Sequence, residues 1–232
     1  MGFWERLDKY IRGGPAAVDK PFALLSQQEF EQQVTSAITE RLGEHGFAPS
    51  GKRRWTRQCG PGILGLVALQ GLKTEYVPAW GVSLDFVPHL SGGNVGWHRT
   101  PKSARFDLSY QPLDYDEDLR PWEISRFATA EELRIEARVF ASRVSDSAVR
   151  FLEPLTSATV LLEAFEAKRN RRSLRLAFEH YPQEMLSYAF VLARAGHAEA
   201  ARDAFSRFVE SHQVSAPAQS ELSRLLSEAE VR

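Results

Sequence analysis

The sequence predicts an α+β fold, an antiparallel sheet of about four strands with packed helices, followed by an all-helical C-terminal part. Three observations predict it: strand-like runs between residues 54 and 110, amphipathic helices on either side, and unbroken helical patterns after residue 155. We therefore divide the chain into an α+β domain at 1–154 and a helical C-terminal region at 155–232 that packs on it. At 232 residues the chain is long enough for both.

The strands are predicted from alternation and from turn residues. Residues 63–70 are almost continuously apolar, as in a central strand that is covered on both faces, whereas residues 54–57 alternate. Apolar residues also alternate with polar ones at 82–86 and 106–110. Residues 71–78 are interpreted as a connection. The short connections favour an antiparallel meander.

Helix starts are marked by two capping boxes, in which a Ser or Thr is followed three residues later by Glu. They are Ser26 with Glu29 and Thr129 with Glu132. Pro154 is expected to end the second of these helices. Residues 3–11 predict a short amphipathic helix, and further helical stripes occupy the C-terminal region, one of them at residues 174–181.

Composition limits the classes of function. The 29 Lys and Arg residues nearly balance the 30 Asp and Glu residues, so the net charge of −1 makes nucleic acid an unfavoured partner unless a local patch binds it. No apolar run reaches the length of a membrane span, and neither a signal peptide nor a disulfide is expected, since Cys59 is the single cysteine. These features favour a cytoplasmic protein.

The histidines are not spaced for a metal, and we expect neither a metal site nor a cofactor. No two of the six stand at i, i+4. His89 and His98 flank the glycine-rich loop 91–96, with Arg99 and Lys102 close in sequence, so these four residues are the candidate ligand-binding site. The alternative is that the loop is only a hairpin connection.

No residue is assigned a catalytic role. Cys59 could act as a nucleophile beside a histidine, but a cysteine before Gly-Pro-Gly at a strand end is more often packed. Trp55 lies among Arg53, Arg54 and Arg57, a combination that suits nucleic acid, although a core tryptophan is the favoured interpretation.

Two charged clusters are candidate partner-binding surfaces. The acidic one could also be a solvated loop, and the basic one could serve only to complement a helix C-terminus. The candidates are Asp114, Asp116, Glu117, Asp118, Arg169, Arg171 and Arg172.

One resemblance covers residues 26–110. It is carried by Val34, Ile38 and Leu42 on a helix, then Gly46-Phe47, Trp55, the apolar run 63–70 and Gly81-Val82-Ser83-Leu84. This pattern resembles a bacterial family of α+β domains of unknown function. The resemblance implies a fold and no activity; some small domains of this general type are immunity or antitoxin proteins.

A second resemblance lies in residues 183–211. Its residues are Leu186, Ala189, Leu192, Gly196, Ala200, Ala204, Phe205 and Phe208. They are similar to one helix pair of a tetratricopeptide repeat. Because a solenoid needs about three repeats, a single copy favours a helical hairpin docked on the domain.

The absence of catalytic motifs and the charged clusters favour a non-enzymatic protein–protein interaction module, of the immunity or antitoxin type. Two alternatives stay open. One is a small-ligand-binding protein or enzyme that uses residues 89–102, and the other is nucleic-acid binding through the arginine clusters.

Overall fold

A computed structural model describes residues 25–72, 75–112, 124–125, 129–170 and 182–230. The helix predicted at residues 3–11 and the stripe predicted at 174–181 lie outside these ranges. A described helix begins just after the stripe, at Pro182. Within them the fold is α+β, with an antiparallel sheet followed by helices, which confirms the predicted class.

Helix α1, Gln27–Gly43, begins at the first predicted capping box. The Ser26 hydroxyl accepts a hydrogen bond from the Glu29 amide, and the Glu29 carboxylate accepts one from the Ser26 amide at 2.9 Å. The buried face of α1 consists of Phe30, Val34, Ile38 and Leu42.

The sheet contains six strands, of which five follow the order β1-β2-β3-β4-β7 and the sixth, the short β8, pairs with β4. All pairs are antiparallel. The strands are β1 (Ala48–Gly51), β2 (Arg54–Gly60), β3 (Ile63–Leu72), β4 (Glu75–Leu84), β7 (Leu108–Tyr110) and β8 (Ile124–Ser125). A separate hairpin is formed by β5 (His89–Ser91) and β6 (Asn94–Gly96).

Strand β4 differs from the prediction because it begins at Glu75, so most of the expected connection at 71–78 is strand. Pro78 lies within it, in register with Leu69 of β3. Proline lacks the backbone N–H donor but keeps its carbonyl acceptor. Because each residue of an antiparallel ladder donates to one neighbouring strand at most, a proline in the strand loses at most one hydrogen bond. The same strand ends at Leu84, before Phe86, because residues 85–86 form a turn.

One face of the sheet carries the aromatic core. Trp55, Val67, Trp80 and Tyr110 lie side by side across four strands by register, and all are buried. Helix α1 and the long helix α2, Ala130–Leu152, pack against each other and contribute to the same hydrophobic core. Helix α2 begins at the second predicted capping box and ends just before Pro154.

Four further helices make up the C-terminal part that the structure describes. They are α3 (Ala158–Asn170), α4 (Pro182–Arg194), α5 (Ala198–His212) and α6 (Ala216–Glu230). Helices α4 and α5 pack as a pair around Gly196, whose φ of 87° suits glycine. Among the described helices none has the length and apolarity needed to cross a bilayer.

Hydrogen bonds join these helices to the sheet. The Tyr110 hydroxyl donates to the Ala164 carbonyl at 3.1 Å, and Ser109 of β7 binds Glu184 of α4. The division of the chain at residue 154 stays a prediction.

Candidate functional site

The β5–β6 hairpin and the segment after it bring two histidines together. Gly92 and Gly93 both have positive φ, at 58° and 82°, which is the requirement of a tight hairpin turn. Nδ1 of His89 lies 3.3 Å from Nδ1 of His98, and the ring centroids are 5.4 Å apart. Residues 91–96 therefore include the turn and second strand of a hairpin, and this hairpin places His89 beside His98.

Asp107 is the centre of the hydrogen-bond network around these histidines. Its side chain is 0% exposed, and Nε2 of His98, itself 2% exposed, lies 2.7 Å from Oδ2. The Leu84 amide donates to the same oxygen at 2.6 Å. On the other oxygen, Oδ1, the Gln183 amide donates at 2.6 Å and the Ser187 hydroxyl at 2.8 Å. Asp107 therefore accepts from four groups.

These contacts assign the tautomers of both rings. Four donors suit an ionised carboxylate, so Nε2 of His98 carries the proton that it shares with Asp107. In a neutral His98 the Nδ1 atom is then an acceptor, which makes Nδ1 of His89 the donor. The Nε2 atom of His89 is left with a free lone pair.

The His89 ring is mostly buried and lies beside glycine. Burial lowers the pKa of His89, the Arg105 charge lowers it further, and so does His98, while Asp107 opposes them. Gly96 is paired with His89 across the hairpin, and a Cβ atom at Gly96 would lie 3.0 Å from Nε2 of His89. No hydrogen bond joins this Nε2 to any other described residue.

No hydrogen bond joins the other two residues of the predicted ligand site to the histidines. The guanidinium of Arg99 stacks 3.5 Å from the centroid of the Trp97 ring, and its Nε donates to the Asp85 carbonyl at 2.9 Å. Lys102 is exposed in the following turn. The structure thus separates a buried histidine pair from an exposed cationic pair in one segment.

A further arginine joins this segment from β2. The Arg54 guanidinium donates a hydrogen bond to the Ala104 carbonyl, so an arginine of the predicted cluster around Trp55 meets the segment that follows Arg99 and Lys102. Burial lowers the pKa of Arg54, and the charge of Arg105 lowers it further. The group Arg54, Arg99, Lys102 and Arg105 is called the cationic surface below.

The remaining predicted residues fall in other places. Arg169, in the last turn of α3, donates to the Tyr188 hydroxyl at 3.0 Å and lies 3.6 Å from Glu166. The other partner-binding candidates are outside the described ranges; they are Asp114, Asp116, Glu117, Asp118, Arg171 and Arg172. Trp55 is 2% exposed, which confirms the favoured interpretation of a core tryptophan over the alternative of base stacking. Cys59 is half-buried against Gly65.

One buried carboxylate and one buried ion pair were missed by sequence reasoning. Asp107 stands between Phe106 and Leu108, and its place inside an apolar alternating run was the signal available. Lys168 and Glu184 form a buried ion pair, for which the sequence gives no comparable signal. No cluster of three or more metal-ligating side chains occurs within the part of the chain that the structure describes.

No family model, no curated protein and no solved structure matches this chain.

Proposed function

We propose that the protein is a non-enzymatic interaction protein that binds an acidic segment of a protein partner on its cationic surface. The observation that supports this most directly is the hydrogen bond from Arg54 to Ala104, which unites two cationic groups far apart in the sequence. An immunity or antitoxin protein is the specific form of this proposal, in which the partner is a toxin.

The ion pairs of the described residues do not involve the cations of this surface. Among the described residues, no ion pair links Arg54, Arg99, Lys102 or Arg105 to a carboxylate. Some other exposed arginines of the described ranges are paired, as Arg134 is with Glu131 at 2.7 Å and Arg202 with Glu230 at 2.8 Å. Unpaired guanidinium groups are the groups best suited to bind carboxylates in a bidentate manner.

A protein partner fits the charge of this chain better than nucleic acid does. The cationic surface is local and the net charge is −1, so no long-range field attracts a polyanion. Trp97 is only partly exposed, and its ring is already stacked with Arg99 at 3.5 Å, which leaves less aromatic area for bases.

A direct test compares two polyanions. Fluorescence anisotropy would measure binding of a labelled Glu- and Asp-rich peptide and of a single-stranded oligonucleotide with the same charge, at two salt concentrations. We expect the full-length protein to prefer the peptide, and we expect the double variant Arg54→Gln/Arg105→Gln to weaken peptide binding by about tenfold or more, since each charged hydrogen bond contributes about 1.5–3 kcal/mol.

The matched control is Arg207→Gln, which removes an exposed arginine from α5. It should leave peptide binding unchanged. Equal losses in the double variant and in the control, or a clear preference for the oligonucleotide, would contradict the proposal.

A second candidate function is supported by the histidine network. An Asp–His–His chain that ends in a free imidazole nitrogen has the form of a general base. Loss of a catalysed reaction in His89→Gln, with peptide binding retained, would favour this enzymatic alternative.

A further inference from the structure

The histidine pair places two imidazole nitrogens at the separation of metal ligands. Nδ1 of His89 lies 3.3 Å from Nδ1 of His98, beyond the range of about 2.7–3.2 Å that is usual for N–H···O hydrogen bonds. Two metal–nitrogen bonds of about 2.0–2.1 Å that meet at a tetrahedral angle hold their nitrogens about 3.3–3.4 Å apart. A first-row metal ion between the rings therefore reaches both atoms with little movement of either ring.

The outer side of His98 is bonded as in a metal-binding histidine. Such a histidine usually donates its other ring N–H to a carboxylate or a carbonyl, which fixes its tautomer and its orientation. Nε2 of His98 lies 2.7 Å from Oδ2 of Asp107, and three other donors fix this carboxylate in turn. The lone pair of Nδ1 is consequently directed at His89. The two ligands are nine residues apart because a hairpin, and not one turn of a helix, brings them together.

The number of ligands selects the metal. No third His, Cys, Asp or Glu side chain completes a metal-binding group with this pair within the described ranges, and the two histidines are 9% and 2% exposed. Zinc sites are almost always tetrahedral, and calcium and magnesium need a shell of oxygen ligands, so none of these ions is satisfied here. The cuprous ion binds imidazole and, as a soft d10 ion, is stable with two nitrogen ligands.

We propose that Nδ1 of His89 and Nδ1 of His98 bind one cuprous ion. The ion replaces the proton that the two Nδ1 atoms share, and this proton moves to Nε2 of His89, so both imidazoles stay neutral. Nε2 of His89 has a lone pair for it, since no hydrogen bond joins this atom to a described residue. The site is separate from the cationic surface and does not depend on the interaction proposal.

The hairpin makes this coordination geometrically accessible. Collinear bonds to the ion require the two nitrogens to separate by less than about 1 Å from their present distance. Strands β5 and β6 form a two-stranded sheet of their own, so a shift of His89 with its hairpin breaks no hydrogen bond of the main sheet.

The experiment is anaerobic titration of the full-length protein with Cu(I) in competition with a chromophoric Cu(I) chelator, and a parallel titration with Zn(II). Thiolates also bind Cu(I), and Cys59 is the single cysteine, so every protein carries Cys59→Ser. We expect one Cu(I) per chain and no stoichiometric Zn(II). X-ray absorption should show two nitrogen ligands on copper. In nitrogen-15 NMR, Cu(I) should move the proton of His89 from Nδ1 to Nε2.

Variants of the network identify the ligands. His89→Gln and His98→Gln should each abolish stoichiometric Cu(I) binding. Asp107→Asn should weaken it by about 10–100-fold, because His98 loses the carboxylate that orients it. The matched control is His197→Gln, which removes a partly exposed histidine just before α5 and should bind Cu(I) as its parent does.

The outcomes decide for or against the site. Loss of binding in both histidine variants, with binding kept in the control, supports it. Equal Cu(I) binding by all variants would show that the copper is adventitious, and stoichiometric Zn(II) binding without any preference for Cu(I) would also overturn the inference. If circular dichroism shows that a histidine variant is unfolded, the parent protein decides: transfer of the His89 proton to Nε2 supports the site, and an unchanged His89 overturns it.

Discussion

The ammonium group of Lys168 lies 2.6 Å from Oε1 of Glu184, and both side chains are only 4% exposed. Lys168 also donates to the Ser109 carbonyl at 2.6 Å, and Ser109 donates to Glu184 through its amide and its hydroxyl, both at 3.1 Å. This cluster joins α3 and α4 to β7. The other oxygen of Glu184, Oε2, is buried without a hydrogen-bond partner among the described residues.

Removal of the cation should be strongly destabilising. In Lys168→Met the carboxylate of Glu184 stays buried without its counter-ion, so the free energy of unfolding should fall by about 3–5 kcal/mol. Urea denaturation followed by circular dichroism measures this loss. The double variant Lys168→Met/Glu184→Gln removes both charges and should recover a large part of it. A loss below about 1 kcal/mol in the single variant would show that the pair does not hold the helices to the sheet.

Trp55 should contribute to the core by both its area and its indole N–H. The indole nitrogen donates to the Thr39 hydroxyl of α1 at 2.8 Å, and the ring is buried. Trp55→Ala should lower stability by about 3–5 kcal/mol. Thr39→Val should cost about 1–3 kcal/mol because it leaves the indole donor unpaired.

Thr35→Val is the matched control for Thr39→Val. Thr35 makes the same type of bond to a helix carbonyl, at 2.7 Å to Glu31, and no described residue uses its hydroxyl as an acceptor. Its effect on thermal or urea unfolding should therefore be clearly smaller. Equal effects of the two variants would argue against the Trp55 hydrogen bond.

Asp107→Asn should disrupt the histidine network. The variant replaces one acceptor oxygen by a donating NH2 group opposite groups that also donate, so the free energy of unfolding should fall by about 3 kcal/mol. In nitrogen-15 NMR of the wild-type protein, His98 should be protonated at Nε2 and His89 at Nδ1. A wild-type spectrum with His98 protonated only at Nδ1 would contradict the assignment of tautomers.

Stability should fall on acidification because of His89. Its pKa is lowered in the folded protein by burial and by Arg105, whereas the unfolded chain has the ordinary value of 6.5. Below pH 6.5 the unfolded state binds the extra proton first, so this contribution is present above pH 6.5 and is lost progressively as the pH falls toward the folded-state pKa. Urea denaturation at pH 7.5 and pH 5.5 should show a larger decrease for wild type than for His89→Gln. A decrease of the same size in both proteins would mean that His89 is not the group responsible.

Local signals predicted the elements of this fold well. The two capping boxes begin α1 and α2 because the Ser or Thr side chain accepts from the amide of the glutamate, and the glutamate side chain accepts from the amide of the Ser or Thr. This pattern starts a helix wherever it occurs. Gly92 and Gly93 make the expected hairpin turn for a similarly local reason. The connection predicted at residues 71–78 is mostly strand, and Pro78 is tolerated there because the cost of a proline in a strand depends on whether its amide is needed by a neighbouring strand.

The site could be predicted only in part. His89 and His98 are nine residues apart around a turn, so their proximity follows from the hairpin. Asp107 and Ser187 are 80 residues apart, and their hydrogen bond depends on where α4 packs, which no short sequence pattern encodes. The contact between Arg54 and Ala104, 50 residues apart, was missed for the same reason.

The sharing of one carboxylate among distant segments also has a consequence for the order in which the protein forms during synthesis. Asp107 needs the Leu84 amide and His98, which leave the ribosome with the sheet, but its other two partners, Gln183 and Ser187, are made nearly eighty residues later. At translation rates of about 5–20 residues per second, several seconds separate the two events. The nascent sheet therefore carries an incompletely bonded Asp107 during this interval, and the histidine site is completed only when α4 has been synthesised and has docked.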